Sequence, residues 1–237
     1  LLYLFVKKEI VINQFFGIGD ILFIEPIMRY YFQQGHKVTV PILYKYLDIQ
    51  RNIPYVNFVD KNFYNIDYEE QKIIETDNHI ILPMRWSKEF FGSHLNDTMK
   101  NKYRMVGIEL EEWRKLTWLR HRWRESRLKE LLGIKQGERF NLINCNFYSF
   151  ENRTINLNIN NKLKNIEMKF IPTFNLLDWA GIIEEAENIY SVNTSIIFLL
   201  EVLELKAKEI HLYSRNVNGA DFVQTEYLRS KNYILYG

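Results

Sequence analysis

The feature that most constrains this chain is a rhythm. Short apolar, β-branched runs alternate with runs of helical period, and the alternation occurs twice. In the first half, residues 9–15 (EIVINQF) read as a buried strand and 17–20 (GIGD) as a turn. Ile21, Ile24, Met28 and Tyr31 then recur at helical spacing, with Pro26 set to kink or restart the helix and Gly35 to end it. Residues 36–43 (HKVTVPIL), 55–59 and 79–82 read as further strands. A strand–turn–helix–strand order predicts a parallel sheet with helices on its faces.

Residues 109–133 carry the longest helical pattern, opened by Glu109, Glu111 and Glu112 and closed at Gly133. The alternation then restarts. Strands are expected at 140–146, 166–171, 188–192, 209–214 and 233–236, with helices at 176–186 and 195–206 and an Asn-rich connection at 151–165. The boundary is expected at 134–137, giving domains 1–135 and 136–237, each a small doubly wound α/β unit. Composition agrees with a folded chain: of 237 residues 47% are apolar, 15% aromatic and 25% charged. A net charge of +2 argues against a generally polybasic nucleic-acid binder. Cys145 is the only cysteine, which excludes an internal disulfide or a C-x-x-C metal site. No apolar run has the ~18 residues of a membrane span, and the opening segment lacks the basic-then-apolar order of a secretory signal.

Three segments could carry chemistry. In Gly17-Ile18-Gly19-Asp20 the glycines let the backbone turn tightly, and Asp20 falls at the carboxyl end of the first strand, where open α/β sheets bind ligands. Asp20 reads equally as a helix N-cap. Leu22 stands where a dinucleotide fingerprint needs its third glycine. In Ser191-Val192-Asn193-Thr194-Ser195, small polar residues open an apolar helix, an arrangement that suits a phosphate or a simple cap. Residues 113–124 interleave Trp113, Trp118 and Trp123 with Arg114, Lys115, Arg120, Arg122 and Arg124. That pattern reads as a peripheral contact with a membrane or nucleic acid, or as an interdomain helix with its tryptophans in the core. His36, His79, His94, His121 and His211 are scattered without zinc-site spacing, and neither a G-x-S-x-G elbow nor a phosphate-binding P-loop occurs.

The run from Glu9 through Val40, with Gly17, Gly19, Asp20 and Pro26, resembles the first strand–loop–helix of the glycosyltransferases that include the ADP-heptose:lipopolysaccharide heptosyltransferases. The run from Phe174 to Leu205 is similar to that family's C-terminal signature, with Asn193-Thr194-Ser195 in place of Asp-Thr-Gly and Phe198 in place of a histidine. The family's Lys and Thr near the donor diphosphate have Asn146, Ser149 and Arg153 as their nearest counterparts. The resemblance implies a GT-B fold, with two Rossmann-like domains of mainly parallel sheets facing a cleft. It implies inverting, metal-independent transfer from a nucleotide-diphosphate sugar, with no cofactor, to a glycan or lipid-linked glycan acceptor on the cytoplasmic side of a membrane. In that scheme Asp20 is the general base, and Thr173 and Phe174 contact the nucleoside. Asn193, Thr194 and Ser195 hold the diphosphate. Two rivals follow: transfer to modified DNA bases through the basic tryptophan-rich segment, and a non-catalytic relative that binds a ligand or partner.

Overall fold

Two five-stranded sheets answer to the two rounds of alternation in the computed structural model, which describes residues 7–14, 17–62, 72–86, 98–147, 153–154, 157–159, 162–216 and 219–237. Both are parallel-dominated, and the chain divides into two α/β units, Leu1–Leu119 and Arg120–Gly237.

In the first unit, strands β1 (Glu9–Ile12), β2 (Lys37–Ile42), β3 (Val56–Asp60), β4 (Ile74–Glu75) and β5 (His79–Leu82) lie in the order β3-β2-β1-β5-β4. All pairs are parallel except β4–β5. Ile10, Val11 and Ile12 are all buried, as expected for a central strand covered on both faces. Pro41 lies inside β2, which pairs with β1 only as far as Thr39, so the missing N–H falls beyond that ladder. The first helix is in two pieces, α1 (Ile18–Phe23) and α2 (Glu25–Gln33). Pro26 restarts it: a proline costs nothing in the first turn, where the N–H has no partner to lose. Helix α3 (Thr98–Met105) is anchored on α1 by Tyr103, whose hydroxyl donates to the Phe23 carbonyl at 2.6 Å and whose ring meets Phe23 edge-on at 5.0 Å. Trp113 packs on the same Phe23 ring.

The expected helix over 109–133 is broken. A 3-10 turn covers Leu110–Lys115, and α4 covers Arg122–Leu131. Buried Glu25 explains the first break, because its carboxylate accepts from the Thr117 backbone N–H at 3.1 Å and from Arg29, which also donates to the Lys115 carbonyl at 2.7 Å. Burial, and then the Glu25 charge, push the Tyr55 hydroxyl beside it far above its ordinary pKa. Helix α4 belongs to the second unit, so the division falls ahead of the expected 134–137. Arg120 binds Glu125 and Glu184, Lys129 binds Glu185, and Arg124 binds Asp178. Gly181 permits that packing, since a Cβ there would come within 2.6 Å of the Glu125 carboxylate.

In the second unit, β6 (Phe140–Asn144), β9 (Lys164–Glu167), β10 (Asn188–Val192), β11 (Glu209–Tyr213) and β12 (Ile234–Tyr236) form a wholly parallel sheet in the order β12-β11-β10-β6-β9. A separate two-residue ribbon pairs β7 (Asn146–Phe147) with β8 (Arg153–Thr154). Asn165, Asn141 and Asn188 occupy paired positions on β9, β6 and β10 and bond side chain to side chain at 2.9 and 3.0 Å. A one-residue slip would break that ladder, so it pins the register. Helices α5 (Ala180–Glu185), α6 (Ile196–Val202) and α7 (Ala220–Gln224) follow β9, β10 and β11. Among the described residues no helix is long and apolar enough to cross a membrane.

Candidate functional site

In both sheets the strand order reverses beside the central strand, between β1 and β5 and between β6 and β10. Ligands of open α/β sheets bind outside the carboxyl ends of the strands at such points. Asp20 lies at the first and Thr194 at the second.

Asp20 is not a cap. The N-cap of α1 is Gly17, which makes no side-chain cap bond, and Asp20 lies within the first turn. Gly17 has φ −75°, open to any residue, and an added Cβ would meet nothing closer than Asp20 Oδ2 at 3.8 Å. The turn at Gly17–Asp20 is the first turn of α1, closed by the Asp20 N–H on the Gly17 carbonyl at 3.1 Å, and Gly19 lies inside the helix, so neither position needs a glycine conformation. What holds Asp20 is Lys102: Nζ donates to Oδ1 at 2.8 Å, with the ammonium side chain 2% exposed and the carboxylate 31% exposed. A buried ammonium needs a paired anion, and α3 delivers it because Tyr103, its neighbour, is fixed on Phe23. Sequence reading missed Lys102, which stands 82 residues from Asp20 and gives no local signal.

In the second unit the candidate residues separate. Thr194 Oγ1 accepts from Asn144 Nδ2 at 3.2 Å, and the same amide donates to Ser191 Oγ at 3.0 Å, bridging the ends of β6 and β10. Ser195 is the N-cap position of α6 without a side-chain cap bond. Asn193 turns inward instead. Its amide donates to Asp221 Oδ2 at 2.9 Å and to Thr225 Oγ1 at 3.0 Å, and it is 2% exposed. The Asn193 side chain is thus buried under α7. Asp221 also accepts from Ser214 Oγ and the Arg215 backbone N–H. Burial raises its carboxyl pKa, but those bonds, the Asn193 amide and the Arg215 charge outweigh it and hold the group below its ordinary value. Phe198, at the histidine position, is buried in the apolar helix. The backbones of Asn146 and Arg153 lie on opposite strands of the ribbon after β6. Ser149 and His94 lie outside the described residues.

Thr173 carries φ +73°, a left-handed conformation that a β-branched residue rarely adopts. Arg124 imposes it. The guanidinium donates to the Thr173 carbonyl and to both Asp178 oxygens, and lies 4.9 Å over the Phe174 ring. A capping box between Asn175 and Asp178 closes the turn. Arg120, Arg122 and Arg124 of the 113–124 segment pair with Glu125, Glu184 and Asp178. Trp113 is core, whereas Trp123 is 68% exposed.

Among the described residues no three His, Cys, Asp or Glu come together to hold a metal ion. A surface cavity of about 290 Å³ involves Phe32, His36, Lys37 and Tyr55. It opens at the starting ends of β2 and β3, opposite to Asp20, and does not belong to this site.

Two mainly parallel sheets, each with a polar turn at its switch point, place the chain in the class of doubly wound α/β proteins. Two solved structures are similar to it. A glycosyl transferase family 9 protein from Veillonella parvula is 10% identical over 87% of this chain and 81% of that one, with a TM-score of 0.46. The iron-containing dodecameric glycosyltransferase TibC from enterotoxigenic E. coli is 11% identical over 88% of this chain and 58% of that one, with a TM-score of 0.49. No family model and no curated protein matches the sequence.

Proposed function

We propose that this chain is a glycosyltransferase that moves a sugar from a nucleotide-diphosphate donor to a hydroxyl of a glycan or lipid-linked glycan, with inversion and without a metal. The observation that carries the reading is the half-exposed Asp20 carboxylate at the head of β1, held by buried Lys102. Lys102 donates to Oδ1, leaving Oδ2 for the acceptor hydroxyl. Inverting transfer needs one base at that hydroxyl and hydrogen-bond donors at the leaving diphosphate. In this reading the hydroxyls of Thr194 and Ser195 serve the diphosphate, and Thr173 and Phe174 serve the nucleoside. Asn193 takes no part, which departs from the motif the family carries. Asp20→Asn should lower turnover by roughly two to four orders of magnitude, and lower the melting temperature as well, because it leaves the buried Lys102 ammonium without its anion. Unchanged release of nucleoside diphosphate from a nucleotide sugar would remove Asp20 from the chemistry.

A second reading is favoured by the burial of Asn193 and Phe198: a nucleotide-binding or partner protein without transferase activity. Calorimetric binding of a nucleotide sugar without its breakdown would select it.

A further inference from the structure

The cavity of about 290 Å³ at the starting ends of β2 and β3 is bounded by two kinds of side chain. Phe32 and Tyr55 give it an aromatic wall, with ring centroids 5.1 Å apart and Phe32 left 46% exposed. Two polar neighbours have their hydrogen bonds met elsewhere. The Tyr55 hydroxyl donates to Glu25, and Gln50 donates to the Val56 carbonyl at 2.6 Å and accepts from the Phe58 N–H at 2.8 Å. His36 is different. Its Nδ1 lies 3.2 Å from both the N–H and the carbonyl of Lys8. A neutral ring that accepts that N–H carries its proton on Nε2, and a protonated ring that donates to the carbonyl carries one there too. Lys37 pairs with Glu9 at 2.9 Å, but the lysine side chain is 61% exposed and the glutamate 15%, so the ammonium is the charge presented outward. Lys7 adds a second cation nearby, its Cε 3.5 Å from where a Cβ on Gly35 would stand.

We propose that this cavity is a binding site for a small aromatic carboxylate, separate from Asp20 and independent of the glycosyl-transfer reading. The ring lies against Phe32 and Tyr55, and the carboxylate turns toward His36 and Lys37. Size, wall and charge together select this class. A cavity of about 150 Å³ takes benzene, so one of about 290 Å³ takes a ring with its substituents. It stands at the lower end of small-molecule sites, too small for a nucleotide sugar or a glycan chain. A flat ring gains from tilted or offset contact with aromatic walls. The polar groups toward it are donors, an imidazole N–H and an ammonium, which suit a carboxylate that only accepts. The carboxylate behind Tyr55, Glu25, is fully buried and bonded to Arg29, so it does not repel an anion in the cavity.

The test is a titration of the whole chain, followed by the backbone amide resonances, with three probes: para-hydroxybenzoate, para-hydroxybenzamide and cyclohexanecarboxylate. Para-hydroxybenzoate should bind, moving the amides of Val38, Tyr55 and Asn57 and leaving those of Asp20 and Thr194 in place. The amide probe lacks the charge and cyclohexanecarboxylate lacks the flat ring, so each should bind more weakly. Phe32→Ala should weaken para-hydroxybenzoate about fivefold, the scale of one aromatic contact. Lys37→Gln should weaken it about threefold, the scale of one exposed ion pair. Lys37 is mostly exposed, so Lys37→Gln reads the charge in a folded protein even where Phe32→Ala lowers stability. No binding of para-hydroxybenzoate, resonance shifts centred on Asp20 or Thr194, equal binding of the amide probe, or unchanged affinity in both variants would overturn the site.

Discussion

Asn193 is neutral where it meets the fully buried carboxylate of Asp221, and that neutrality is what the contact requires. An aspartate at 193 would set two carboxylates against each other away from water and remove the amide donor. Asn193→Asp should therefore cost about 1–3 kcal/mol, read as a lowered denaturant midpoint at neutral pH. An unchanged midpoint would mean that Asp221 has another neutralising partner. Asp221 also predicts an acid limit. Its folded-state pKa lies below the ordinary 3.8, so its contribution is complete above that value and is lost as pH falls through the lower folded-state value. Wild-type unfolding followed from pH 5 to pH 2 should show this loss, and Asp221→Asn should flatten it. Little of this was legible in the sequence. The candidates Asp20 and Asn193 stand out by their place after strands, but Lys102 and Asp221, which decide what each does, are distant in the chain. Only packing brings them in.

At the scale of elements, strand and helix positions were readable wherever apolar period was strong. Asn188–Val192 forms the strand its pattern predicts, and Pro26 restarts the helix it interrupts. The broken segment over 109–133 was not readable, because the break comes from Glu25 capturing the Thr117 N–H, a contact with no local signature. The two-residue strand β4 and the five-residue helix α7 are too short to show a period. The Thr173 turn is likewise held from outside, by Arg124. Thr173→Gly should relieve the left-handed backbone and stabilise the protein by about 0.5–1 kcal/mol, after the greater freedom of glycine in the unfolded chain is counted. Arg124→Met should do the reverse, by about 3–5 kcal/mol, because it leaves buried Asp178 without its charge partner. Thermal melts of the two variants test the assignment, and a stabilising Arg124→Met would refute it.

At the scale of the molecule, each unit has its own sheet and its own buried core, Ile10, Ile12 and Val40 in one and Leu142, Ile189 and Leu212 in the other. The doubled alternation foretold two such units, while their division at 119/120 depends on side-chain pairings that no pattern reveals. Hydrogen exchange should reflect this organisation: Asn193→Asp should lower protection of the β10 and β11 amides and leave β1 and β2 protected. Equal loss in both sheets would show one cooperative unit. The central claim is that Asp20, held by Lys102, is the base for sugar transfer. Its most direct test is the rate at which purified wild-type and Asp20→Asn protein release nucleoside diphosphate from ADP-, UDP- and GDP-sugars in the presence of a glycan acceptor. The account predicts release from at least one donor, reduced roughly 10²- to 10⁴-fold by the substitution while the melting profile stays cooperative; no release from any donor, or equal release by both proteins, would contradict it.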